Sequence, residues 1–289
     1  MCVYNARGGG LACVFIWKWT ATKAPPPEQR LGTLREFYAD ASALERRAIA
    51  MAEKEGAQHL ELRGRDPGSL SLPCVQRFYT FERTLDADPD ANLLLIPRKQ
   101  RAMVRKGIAQ GLEADFGTDV ETFYALYARS VRDLGTPVYP RRYFAALIEN
   151  LGERCEMLVV RHGGIPISAV LSFRYRNRIM PYYAGSVPIA RSLYAFDFMY
   201  WSLMRDASAR GIEVFDFGRS VENTGAFAFK KNWGFEPQPL YYRFGALGTR
   251  QAPELTPNNP RYRFAIWAWK HLPLPIANRL GPWLWPMLA

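Results

Sequence analysis

Histidine and cysteine are scarce in this chain of 289 residues, which holds three of the first and four of the second. His59, His162 and His271 are scattered, and Cys2, Cys13, Cys74 and Cys155 lie far apart with no C-x-x-C pair. That spacing argues against a zinc site and against a disulfide framework, and it makes a reducing cytoplasm the expected compartment. Long apolar runs are missing too. The longest near the start, residues 11–17, falls far below the ~18 to 20 residues that span a bilayer. No small-residue cleavage signature follows it, so neither a spanning helix nor a signal peptide is expected. There is no G-x-S-x-G elbow, no P-loop, no G-x-G-x-x-G and no H-E-x-x-H, which removes the most readable catalytic devices.

Acidic residues are also short in supply, 27 against 38 Lys plus Arg, for a formal net charge of +11. Such an excess favours contact with phosphate or other anionic groups without naming the anion. What the chain has in plenty is apolar mass: 48% hydrophobic residues with 17 Phe, 15 Tyr and 8 Trp, and only 22% charged ones. That composition excludes global disorder, and the length exceeds one domain of ~100 to 200 residues, so two lobes are expected.

Residues 1–30 carry a Gly triplet, a short aromatic run and Pro25 to Pro27 without a sustained period, and read as an atypical or disordered start. Apolar spacing predicts a helix over residues 31–55, stopped by Gly56, and then a strand at 59–62. The same grammar returns at 193–207: a helical stripe, Gly211, and a buried strand at 212–217. In both copies an acid, Glu61 or Asp216, stands five positions after the Gly, an imperfect internal repeat. Between them, Thr118 and Glu121 suit a capping box for a helix ending at Gly135, and Pro140 opens a helix to Leu151. Strands follow at 156–162 and 165–175, joined by the Gly163–Gly164 turn, and at 179–184 after the Asn177 turn. A short helix near 227–232 and a strand at 240–244 complete the order. The crossover through the 193–207 helix makes the flanking strands parallel, hence a mixed sheet with helices packed on it.

Four segments are candidates for chemistry. FDFGRS, residues 215–220, puts Gly218 directly after a buried strand, where the backbone can bend and free its amides, with Arg219 at the sheet's carboxyl end. The plain alternative is an ordinary strand-to-helix turn. GAFAFKKNWGF, residues 225–235, sets Lys230 and Lys231 among aromatics, so one lysine should point inward and keep its charge against an anion or a developing oxyanion. The plain alternative is a solvated pair beside a core of Phe227, Phe229 and Trp233. PRKQRAMVRKG, residues 97–107, gives a helix face with Arg98, Lys99, Arg101, Arg105 and Lys106 and no acid, able to grip phosphates with little sequence discrimination, or simply solvated. YYAGS, residues 182–186, ends a strand on which alternation sends Tyr182 and Tyr183 to opposite faces.

These motifs, in this order, resemble the FemAB-related branch of the GNAT acyltransferases, especially members associated with the exosortase (PEP-CTERM) system, over about residues 31–275. The resemblance implies an α/β (α+β) fold with a GNAT-like mixed sheet flanked by helices. It implies one complete lobe at 98–250, a partial lobe at 31–97 lacking its first half, and a Trp- and Pro-rich tail at 251–289. It implies a transferase that acylates an amine of a cell-envelope or exopolysaccharide precursor. Lys230 and Asp216 map onto the family's cleft as catalytic candidates. Arg219, Ser220, Tyr183, Ser186, Asn223, Lys231 and Arg105 are the candidates for substrate binding. No firmly bound cofactor and no metal are expected, and the acyl donor is aminoacyl-tRNA or acyl-CoA as co-substrate. Arg7 to Ala12 formally match the R/Q-x-x-G-x-G/A pyrophosphate loop of CoA-dependent members, but outside any strand-to-helix turn, which favours a donor other than CoA. The expected partners are a small-molecule or envelope-precursor acceptor and tRNA, with no DNA. The tail is a candidate for peripheral contact with the inner membrane or for packing against the missing front of the first lobe. Two other readings stand beside this one: an acetyl-CoA-dependent N-acetyltransferase of exopolysaccharide assembly, and a non-catalytic module binding RNA or an envelope complex.

Overall fold

In the computed structural model the described residues are 13–17, 41–54, 59–65, 72–246 and 263–288. The start of the first expected helix, its Gly56 stop and the Arg7 to Ala12 match lie outside them. In chain order the elements are β1 (Cys13–Trp17), α1 (Ala41–Lys54), β2 (His59–Gly64), β3 (Cys74–Thr84), α2 (Ala91–Leu94), α3 (Arg98–Ala109), β4 (Leu112–Gly117), α4 (Val120–Leu134) and α5 (Arg141–Leu151). They continue with β5 (Cys155–His162), β6 (Ile165–Tyr175), β7 (Arg178–Ser186), α6 (Ala195–Ala209), β8 (Val214–Val221), α7 (Gly225–Asn232), β9 (Pro237–Ala246), α8 (Arg263–Lys270) and α9 (Leu274–Leu288).

The chain forms two compact units. The smaller takes residues 1–80, 219–227 and 237–255, and the larger takes 81–218, 228–236 and 256–289. In the smaller unit β2 pairs antiparallel with β1 on one side and β9 on the other. Its alternation is simple: Leu60 and Leu62 are buried, as are Ala48 and Ala52 of α1, which packs on β2.

The larger unit is the expected mixed sheet. β4, β5, β6 and β7 pair antiparallel in sequential order, and β8 runs parallel to β7 with Arg178 opposite Val214 and Ile179 opposite Phe215. The apolar runs of β5 and β6 are continuous because both faces are covered. Met157, Val159, Ala169 and Leu171 pack with Phe123, Tyr127 and Phe144 of α4 and α5. Leu158, Val160 and Val170 point the other way, to the face carrying α6. The Gly163–Gly164 turn has φ of +55° and +77°, which glycine adopts without a Cβ clash. At Gly185 an added Cβ would sit 2.4 Å from Tyr127 Cα, so β7 and α4 meet backbone to backbone.

Several expectations need correction. The cap of α4 is Asp119, whose carboxylate accepts from the Thr122 amide at 3.1 Å, one residue beyond the expected Thr118. Gly135 does close that helix in the left-handed conformation. Three strands were missed: β1, inside the stretch expected to be an atypical or disordered start, and β3 and β4. In β4 only Leu112 is buried, so alternation has nothing to show. Tyr182 and Tyr183 do not part to opposite faces: the register slips between Leu171 and Ser172, and the two rings lie 4.7 Å apart. β8 runs on through Arg219 and Ser220 instead of ending at Phe217. The described part of the tail packs within the larger unit on α4: Trp269 is buried and donates to the Thr136 carbonyl at 3.1 Å, and Arg132 of α4 donates to the Leu272 carbonyl at 2.9 Å. Among the described residues no helix is long and apolar enough to cross a membrane.

Candidate active site

Gly218 is the pivot of the candidate site. Its φ of +66° bends β8 so that its two peptide groups turn to different partners. The Gly218 N–H donates to Asp216 Oδ1 at 2.8 Å, a two-residue side-chain turn, and its carbonyl accepts from Lys230 Nζ at 3.0 Å. An added Cβ at Gly218 would meet only Met180 Sδ, at 3.9 Å, so glycine is needed there for the backbone angle and not for space.

Lys230 is brought in by α7. Trp233, fully buried, closes the helix through its amide to the Phe229 and Lys230 carbonyls and packs among Phe217, Tyr200 and Phe229 at 5.9 to 6.3 Å between ring centroids. Its indole N–H donates to Asp197 of α6 at 3.1 Å, and Asp197 also accepts from Gln100 of α3. Burial pushes the Asp197 carboxyl above its usual range, against those two hydrogen bonds. Gly234 then turns the chain at φ +78°, tight against Pro97. With the helix so pinned, Lys230 lies against the apolar wall, its ammonium 5.5 Å from the Phe81 ring centroid, while Lys231 is exposed. Burial pushes the Lys230 ammonium down to about 8, and the nearby Asp216 carboxylate works in the opposite direction.

Asp216 is 4% exposed. It is held by Arg178 at the start of β7, whose guanidinium lies 3.3 Å from Oδ2 and also pairs with Glu82 of β3. Burying a carboxylate is tolerable because this cation and the Gly218 amide compensate it. Arg178, Glu82 and Phe81 were not foreseen. They stand far from Asp216 and Lys230 in sequence, and only the parallel register of β7 and β8 brings Arg178 to Asp216.

The other candidates divide between places. Lys230 and Asp216 share one cluster in the larger unit. In the smaller unit, Arg219 donates to Tyr242 Oη at 2.7 Å and lies 4.6 Å from the Phe78 ring centroid. Ser220 there is buried, and Asn223 adopts φ +61° in the turn before α7. Tyr183 joins an aromatic group with Tyr127, Tyr139, Tyr143 and Phe144, its hydroxyl 3.0 Å from that of Tyr143. Burial, first, and the Tyr143 contact push the Tyr183 phenol far up, and burial pushes Tyr139 up to about 12. These phenols therefore stay protonated and act as neutral hydrogen-bonding groups. The backbone of Ser186 is clasped by Ser130 Oγ, which accepts from its amide at 2.7 Å and donates to its carbonyl at 3.1 Å. Arg105 is exposed on α3, as are Arg98, Lys99 and Lys106.

The link from β7 to α6, residues 187–194, contains no glycine. A 3-10 turn at Pro188–Arg191 uses its amides internally, Ala190 to Val187, and Ser192 and Leu193 to Ile189. Tyr194 caps α6 in a left-handed conformation, with Asp197 in the first turn. No group of three or more His, Cys, Asp or Glu among the described residues is placed to hold a metal ion.

Residues 98–231 match the model of the acetyltransferase (GNAT) domain family. No curated protein matches the chain. Among solved structures, the chain resembles FemX at a TM-score of 0.57 and 15% identity, over 81% of this chain and 88% of that one. It resembles the GCN5-related N-acetyltransferase of Sphaerobacter thermophilus at 0.50 and 11%, over 85% and 79%, and the L-PGS of Bacillus licheniformis at 0.50 and 9%, over 71% and 73%. At such identities these likenesses establish the fold. GNAT enzymes use acyl-CoA as a co-substrate and not as a firmly bound cofactor. The fold is thus a GNAT-like mixed α/β fold, and the chain is an enzyme of the acyltransferase kind carrying a GNAT domain across its central sheet.

Proposed function

We propose that the chain is a Fem-like N-acyltransferase, moving an aminoacyl or acyl group from an activated ester to the amine of a cell-envelope or exopolysaccharide precursor. One observation carries the reading: a half-buried ammonium, Lys230, hydrogen-bonded to the Gly218 carbonyl beside the buried Asp216. In acyl transfer the neutral amine attacks the ester carbonyl and negative charge develops on the carbonyl oxygen; as the intermediate collapses the carbon–leaving-group bond breaks and the proton lost from the attacking nitrogen passes to the departing group. A desolvated ammonium is worth more to that oxyanion than a solvated one. Asp216 holds the Gly218 peptide and, through it, the lysine, so the chain contributes mainly positioning and charge. Lys231, Tyr183, Ser186 and Arg105, all of the larger unit, are assigned to substrate contact within this proposal.

Lys230→Ala is expected to lower turnover by at least ~10-fold, equivalent to ~1.4 kcal/mol, with the circular dichroism spectrum unchanged. Unchanged turnover would take Lys230 out of the site. The assay is a donor screen, aminoacyl-tRNA against acyl-CoA, with an amino-containing envelope precursor as acceptor. The exposed cations of α3 favour the tRNA arm, because phosphates are gripped by such a face. The glycine-free link before α6 favours it too, since it offers no open amide cradle for a pyrophosphate. The GNAT family match favours the acetyl-CoA arm, the second reading. Salt-steep RNA binding without transfer from any donor would point instead to a non-catalytic module.

The motif resemblance supports a place with the exosortase-associated branch, in the cytoplasm. The tail exposes Phe264, Trp267 and Trp283, which suits peripheral contact with the inner membrane.

A further inference from the structure

The larger unit holds a cleft of about 560 Å³ between the β6–β7 hairpin, the 3-10 turn Gly152–Arg154 that leads into β5, and the end of α6. None of the residues assigned to acyl transfer lines it, and its charged lining is Arg154, Arg174, Arg176, Arg210 and a single acid, Glu153. Two of the arginines are built into the wall. Arg210, just past the end of α6, grips both oxygens of Glu156 of β5 at 2.7 and 2.8 Å and also pairs with Asp206. Arg174 of β6 donates Nε and Nη2 to the Glu153 main-chain carbonyl at 3.0 and 2.6 Å, and its Nε lies 3.9 Å from Glu156. The carboxylates behind the wall, Glu156 and Asp206, are thus taken up by these two guanidiniums, and Glu213 accepts from the Asn177 side-chain amide.

Arg154 and Arg176 have no such partner. Both are exposed, and among the described residues neither forms an ion pair or donates a side-chain hydrogen bond. The Arg176 guanidinium lies 5.3 Å from the ring centroid of its own neighbour, Tyr175. Its backbone adopts φ +56°, a left-handed angle that glycine takes freely and that a Cβ makes costly. The turn is fixed there, because the Asn177 carbonyl accepts from the amides of Glu213 and Val214, each at 3.0 Å. A glycine would serve this hairpin better, so the arginine is retained against the backbone's preference, as strained residues at ligand sites are. The Glu153 carboxylate is exposed and also pairs with no cation.

We propose that this cleft is an anion site that takes a phosphate or diphosphate group, carried by a small organic molecule or free. Arg154 and Arg176 are its phosphate ligands, and Arg174 and Arg210 are the fixed wall behind them. A guanidinium presents a planar fork of donors, and two unengaged forks suit the several oxygens and the double charge of a phosphate better than the single charge of a carboxylate. The volume falls within the range of roughly 300 to 1,000 Å³ that holds small ligands. Glu153, the one acid of the lining, opposes the anion and limits its affinity. The proposal does not depend on the acyl-transfer reading.

The test is calorimetric titration of the full-length protein with sodium pyrophosphate at about 0.15 M salt, where attraction to scattered surface charge is largely screened. The wild type should bind with a Kd of ~1 mM or tighter. Arg154→Gln and Arg176→Gly should each weaken binding at least ~10-fold, and Glu153→Gln should tighten it. Arg176→Gly is the sharper variant, because glycine suits the turn: its melting temperature should hold while pyrophosphate is lost. Should it fail to fold, Arg154→Gln carries the test alone. No heat of binding up to ~10 mM pyrophosphate overturns the proposal. So does binding that both variants retain, since it would then belong to the general excess of positive charge. A parallel titration with AMP separates the two sources of the group. AMP bound as tightly as pyrophosphate, and lost in the same variants, supports an organic phosphate, whereas pyrophosphate bound alone supports the free anion.

Discussion

Replacing Lys230 by Met tests whether the fold strips water from this ammonium, because the variant keeps a long apolar stem and loses the titrating group. Burial brings the folded lysine down to about 8 from an ordinary 10.5. The unfolded chain therefore binds more protons than the folded one between those values. Unfolding free energy must then rise with pH through that window, and the charged lysine costs stability below it. For a folded value of about 8, integrating the difference in bound protons from pH 7 to pH 9.5 gives about 2 kcal/mol in favour of the wild type. Lys230→Met has no such slope. Urea denaturation followed by circular dichroism, at both pH values and on both proteins, isolates the effect as a difference of differences, in which packing changes cancel. The variant should look about 2 kcal/mol better, relative to the wild type, at pH 7 than at pH 9.5. Parallel pH profiles for the two proteins would show a solvated lysine and remove the electrostatic argument for the site.

Two further substitutions probe the frame around the site. Gly185→Ala should cost about 1 to 3 kcal/mol in the same denaturation assay, since its Cβ would press on the Tyr127 backbone and part β7 from α4; an unchanged midpoint would mean that the two backbones are not in contact. Trp269→Phe keeps the buried ring but drops the hydrogen bond to the Thr136 carbonyl, and should cost about 1 kcal/mol and speed amide exchange in α8. Exchange in α8 as slow as in the wild type would mean that this bond does not anchor the tail.

Periodicity made the elements of the larger unit readable wherever one face or both are buried. β5, β6 and α5 fall within a residue or two of their expected bounds, because apolar spacing and the Gly or Pro beside them act locally. The same logic missed β4, which lies at the end of its run of paired strands with one buried residue, so nothing in its pattern separates it from a loop. It also misjudged YYAGS, since the slip beside Ser172 is a property of the pairing with β6 and not of β7. Lys230 was legible as an inward lysine because aromatics flank it on both sides. Arg178 and Glu82 carried no comparable signal, one following a turn and the other an aromatic strand, each ordinary in its own neighbourhood.

By itself, then, the order of residues determined the local grammar: which stretches coil or extend, where glycine must bend them, and that one lysine among aromatics would turn inward. These are short-range consequences of backbone sterics and apolar burial. The tertiary structure alone decided which charges share Asp216, because the energy of a buried ion depends on distances of a few ångströms between segments that only the parallel pairing of β7 with β8 and the packing of α7 bring together.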